Sequence, residues 1–95
     1  MAKLKTSRYD AADYLRTEAQ IEAYLEAAME DGDPRVIAVA LNNVARAKGM
    51  SRVARAAGIS REGLYKALSP EGNPEFATIL KVIRALGLKI EVRPA

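Results

Sequence analysis

The chain contains neither cysteine nor histidine. Without cysteine there are no disulfides, no thiolate metal sites and no thiol nucleophile. Without histidine the usual general base and the usual metal ligand are gone. Any remaining catalysis would need carboxylates or a Ser–Lys pair. Asp10 with Asp13, and Glu22 with Glu26, have helical spacing, but nothing Gly-rich or metal-like accompanies them. Such pairs read as surface charge, so no catalytic residue, metal or cofactor is expected. No run of about eighteen apolar residues occurs, so no membrane-spanning segment is expected. The stretch MAKLKTSRYD lacks the apolar core of a signal peptide. A cytoplasmic, non-enzymatic protein is the expectation.

Ninety-five residues suit one domain, spanning 1–95, and 49% of them are apolar, enough for a core. Alanine dominates that fraction and favours closely packed helices. Charge is unevenly spread. Residues 1–34 carry four bases against eight acids, residues 35–69 seven bases against Glu62 alone, and residues 70–95 four bases against three acids. An acidic front beside a basic middle suggests two partners, something basic and a polyanion. The plainer alternative is solvated helix faces.

Residues 1–8 read as irregular, and residues 10–15 as a short helical turn with Tyr9, Tyr14 and Leu15 as apolar contacts. Residues 17–31 then form an acidic helix. Thr17 with Gln20 is a capping box, and Ile21, Tyr24, Leu25, Ala28 and Met29 make one apolar stripe. Gly32 ends it. Asp33-Pro34 is a cap followed by a proline at the first helical position. Val36, Ile37, Ala40, Leu41 and Val44 are the expected buried side of this second helix, which stops at Gly49.

Residues 50–69, MSRVARAAGISREGLYKALS, read as two short helices and a tight turn. Ser51 and Ser60 are the expected caps, Ala54 is small where helices must cross closely, and Gly58 breaks the first helix. Val53, Ala57, Ile59, Leu64 and Ala67 would face inward. This is the pattern of a DNA-binding helix-turn-helix, although a plain helical hairpin has the same spacing. Asn73-Pro74 repeats the cap-then-proline signal, and Phe76, Ile79, Leu80, Ile83 and Leu86 stripe a fifth helix ending at Gly87. In residues 88–93, Leu88, Ile90 and Val92 alternate with charged residues, as in a strand. A lone strand needs a partner. The same strand of a second copy is favoured, over a frayed tail or pairing with residues 3–6.

With Leu64 and Ala67 inward, residues 61–68 become a recognition helix presenting Arg61, Glu62, Tyr65 and Lys66. Arg61 suits guanine, and Glu62 suits cytosine or orients Arg61. Tyr65 and Lys66 suit the DNA backbone or a base at the edge of the half-site, and Lys48, Ser51, Arg52 and Arg55 suit phosphates, with Ser60 at the helix start.

Nearly the whole chain resembles the probable addiction-module antidote proteins, HigA-like antitoxins with a lambda-repressor-type helix-turn-helix. The matching stretches are YDAADYL from Tyr9, IEAYLEAA from Ile21, ISRE from Ile59, LYKALSPEGNP from Leu64 and KVIRALGL from Lys81. The resemblance implies an all-α domain of about five helices. It implies an antitoxin that binds and neutralises a small toxin encoded beside it, typically RelE/ParE-like. As a homodimer it would also repress its own operon at a palindromic operator. Such toxins are usually basic, so Glu18, Glu22, Glu26 and Glu30 are the expected toxin-docking residues. Leu88, Ile90 and Val92 of the strand pattern above are the expected dimer contact. No small-molecule ligand is expected. The alternatives are a stand-alone helix-turn-helix regulator and a toxin-neutralising module with weak DNA binding.

Overall fold

The computed structural model describes residues 10–95. The irregular reading of residues 1–8, the contact of Tyr9 and the alternative pairing with residues 3–6 lie outside them. Among the described residues, a 3-10 turn at Ala11–Tyr14 precedes five α-helices. These are α1 (Glu18–Asp31), α2 (Pro34–Lys48), α3 (Met50–Ala57), α4 (Arg61–Ala67) and α5 (Phe76–Ala85).

Local chemistry sets most boundaries. The Thr17 hydroxyl accepts the Gln20 N–H at 3.1 Å while the Gln20 carboxamide oxygen accepts the Thr17 N–H at 3.0 Å, so both halves of the capping box form. Asp33 accepts the Arg35 N–H at 2.9 Å and Pro34 opens α2. Two starts differ from the sequence expectation. Met50, not a residue after a Ser51 cap, begins α3, with Gly49 as its cap and no side-chain bond. The earlier start carries the Met50 side chain into the core, where it is buried. Asn73-Pro74 does not open α5. A turn in which the Gly72 N–H meets the Ser69 carbonyl at 2.9 Å carries the chain past, and Glu75 is the cap.

The core is one cluster drawn from every helix. Leu41 and Val44 of α2, Val82 of α5, and Leu64, Leu68 and Leu86 are fully enclosed. Ile21, Leu25 and Ala28 of α1 join them, as do Val53 and Ala54 of α3. Three expected stripe residues stay outside: Met29, Val36 and Phe76 are exposed.

The expected strand at residues 88–93 does not form, and no strand occurs among the described residues. Leu88 packs on the core, but the segment beyond it pairs with no strand among the described residues. Ile90 and Val92 are exposed.

A polar network closes the other side. The Arg46 guanidinium grips Asp10 with two bonds of 2.7 Å and donates to Asn43 at 2.8 Å. The Asn43 amide in turn donates to the Tyr24 hydroxyl at 2.7 Å. The network ties the chain before the 3-10 turn to α2 and α1. The Arg46 guanidinium, aided by the Ala12 N–H, holds the Asp10 carboxyl at about 2, below its ordinary 3.8. Folding therefore favours the ionised carboxylate. Its stabilisation is complete above the ordinary carboxylate range and is lost as pH falls toward about 2.

Two stability outcomes are expected. Leu64→Ala, which empties a fully enclosed site, should cost about 2–5 kcal/mol, read as a fall in urea midpoint. A loss below about 1 kcal/mol would show that the site collapses freely. Asp10→Asn should lower the midpoint at pH 7 and flatten its decline between pH 4 and 2, by urea melts in acid buffers. A decline as steep as in the parent would mean Asp10 does not carry the acid sensitivity.

Candidate nucleic-acid interface

Three residues, Gly58 to Ser60, join α3 to α4. The Gly58 N–H bonds the Arg55 carbonyl at 3.1 Å and the Ile59 N–H bonds the Ala54 carbonyl at 3.0 Å. That pair of bonds is a Schellman turn, and Gly58 provides its left-handed residue at φ 76°. Ser60 then caps α4, its hydroxyl accepting the Gly63 N–H at 2.9 Å. This expected DNA-contact residue is thus first a cap. On the inner side, Leu64 and Leu68 are fully buried, with Ile59 and Ala67 half-buried. Gly72 is packed against the end of α4. A methyl group there would lie 2.5 Å from the Lys66 carbonyl oxygen, so the loop after α4 needs glycine at that point.

The outer sides of both helices are polar and accessible. Ser51, Arg52 and Arg55 of α3 are exposed, as are Arg61, Glu62, Tyr65 and Lys66 of α4. The Arg61 guanidinium lies 3.5 Å from the Ser51 hydroxyl, which brings the starts of the two helices side by side.

Two of the six bases from Arg46 to Lys66 are committed elsewhere. Arg46 is held by Asp10, and Lys48 pairs with Glu18 at 3.0 Å. The second pair joins an expected DNA contact to an expected toxin contact. Local periodicity carried no sign of either pairing, since the partners stand 36 and 30 residues apart. Arg52, Arg55, Arg61 and Lys66 make no ion pair among the described residues. Their charge is available to a polyanion.

The expected toxin-docking acids lie along α1. Glu22, Glu26 and Glu30 are exposed along α1 and make no ion pair among the described residues. Among the described residues no group of three or more His, Cys, Asp or Glu is gathered to hold a metal ion. No described helix is long and apolar enough to cross a membrane.

A family model described as probable addiction module antidote protein matches residues 5–94. An uncharacterized protein of Haemophilus influenzae is 49% identical over 85 residues, covering 90% of this chain and 88% of that protein. No solved structure matches the chain at a significant level. With the family match running almost end to end, the chain belongs to the probable addiction module antidote proteins.

Proposed function

We propose that the chain is the antitoxin of a type II toxin–antitoxin module, with two jobs on two surfaces. It binds and neutralises a basic toxin of the RelE/ParE-like class. It also binds operator DNA through α3 and α4, as a helix-turn-helix, and represses its own operon. The observation that carries the DNA half is four exposed cations on α3 and α4, Arg52, Arg55, Arg61 and Lys66, that make no ion pair among the described residues, with α4 held by buried leucines.

The roles follow from position. Arg61 and Glu62, at the start of α4, approach base edges in the major groove. Tyr65 and Lys66, further along, approach the backbone, and Ser51, Arg52 and Arg55 approach phosphates. Lys48 reaches a phosphate only by leaving Glu18. That exposed pair is worth about 0–1 kcal/mol, so a phosphate can displace it. A homodimer places two α4 helices on a palindrome. Its contact falls to the exposed Ile90 and Val92, because Leu88 packs on its own core.

The acidic half of the reading rests on charge. Glu22, Glu26 and Glu30, with Glu18 at the helix start, would attract a basic toxin and repel DNA. In a stand-alone regulator these acids would be a solvated helix face.

One double dissociation tests the reading. Fluorescence anisotropy measures binding to the DNA upstream of the gene, and calorimetry measures binding to the protein encoded beside it. Arg61→Ala should weaken operator binding by about 1–3 kcal/mol and leave the protein partner untouched. Glu22→Lys with Glu26→Lys should weaken the protein partner and leave DNA intact. For the parent, log affinity for DNA should fall with log salt at a slope of roughly −3 per chain, from Arg52, Arg55 and Lys66 on phosphates. Equal affinity for operator and scrambled DNA would reduce the site to a basic patch. No DNA binding near physiological salt would leave toxin neutralisation alone.

A further inference from the structure

Between α1 and α2 lies an open groove of about 610 Å³. Tyr24, Ala27 and Ala28 of α1 and Val36, Val39 and Ala40 of α2 line it, and Pro70 of the loop after α4 contributes to its wall. The groove exists because alanines stand where the two helices face each other. Larger side chains there would close it. Val36 and Val39 are more than one-third exposed, which is unusual for valines so near a core. The Tyr24 hydroxyl is already held by the Asn43 amide at 2.7 Å. The lining therefore offers apolar surface, with charge confined to Asp31, Asp33 and Arg35.

The surrounding charge selects what can sit there. Residues 17–34 hold six acids, Glu18, Glu22, Glu26, Glu30, Asp31 and Asp33, and no base. Arg35, the one cation among the lining residues, lies 3.6 Å from Asp33 and is partly neutralised by it. Phosphates would be repelled, so the groove is not part of the DNA surface. A second copy joined through the same groove about a two-fold axis would set these six acids against their equivalents. A partner with a large apolar side chain flanked by lysine or arginine satisfies both the lining and the rim.

We propose that this groove seats the apolar anchor of the basic toxin, with the acids of α1 steering the encounter and the groove supplying most of the affinity. Burial of a few large side chains in a central pocket commonly dominates protein interfaces, while rim charges chiefly set the association rate. This inference rests on the antitoxin reading. It moves the main toxin contact from the glutamate face of α1 to the side that meets α2. Pro70 also places the bound toxin beside the loop that follows α4, so the two surfaces adjoin at one loop.

The test uses the full chain and the purified protein encoded beside its gene, titrated by calorimetry. Ala27→Trp fills the groove from an exposed helix position, and Val39→Lys puts a cation on its lining. Phe76→Ser removes an exposed aromatic that does not line the groove and serves as control. Each groove variant should weaken binding roughly 30-fold or more, with thermal melting and operator binding unchanged, while Phe76→Ser binds like the parent. Should Ala27→Trp fail to fold, Val39→Lys decides alone. Parent-like affinity in the groove variants would overturn the groove and leave the antitoxin reading standing, as would equal weakening by Phe76→Ser. A parent chain that does not bind would overturn the antitoxin reading and the groove with it.

Discussion

The exposed basic surface of α3 and α4 depends on two leucines that face away from it. A seven-residue helix such as α4 is too short to persist by itself in water, because one or two turns of hydrogen bonds do not offset the ordering of the backbone. Leu64 and Leu68 hold it, both fully enclosed among side chains of the other helices. The Schellman turn at Gly58 and the Ser60 cap fix where it starts. Small residues complete the seat, with Ala45 of α2 and Ala54 of α3 buried in the same cluster. Arg61, Glu62, Tyr65 and Lys66 are presented in one orientation because the residues between them are locked.

Charge is divided as firmly as packing. Part of the basic middle of the chain is internal fastening: Arg46 clamps Asp10, and Lys48 reaches Glu18 across the start of α1. What remains is concentrated on α3 and α4, while α1 keeps its glutamates. The same fold thus exposes cations on α3 and α4 and glutamates on α1.

The sequence made the helices legible because their ends are written locally. Thr17 with Gln20, Asp33-Pro34, Gly58 and Ser60 each act within four residues, and each does what its pattern implies. Boundaries slipped where packing decided instead. Met50 is drawn into the core and starts α3 one residue before Ser51 could cap it. Asn73-Pro74 has the right letters but is overtaken by the turn at Gly72. The alternation at residues 88–93 is a strand pattern without a strand, since alternation describes faces and not a hydrogen-bonding partner. Of the candidate site, the exposed cations were readable from residue type and spacing. Asp10 with Arg46, and Glu18 with Lys48, were not, being contacts between residues far apart in the chain. The groove was hidden for another reason: it is defined by side chains that alanine does not have.

The most direct measurement of the division between two surfaces is an amide NMR titration of the whole chain with a duplex from upstream of its gene. The shifts should concentrate at Ser51, Arg52, Arg55 and Arg61 to Lys66, with Glu22 to Glu30 and the groove residues unmoved. Shifts spread over the acidic helix, or none at α4, would contradict the assignment of DNA to α3 and α4.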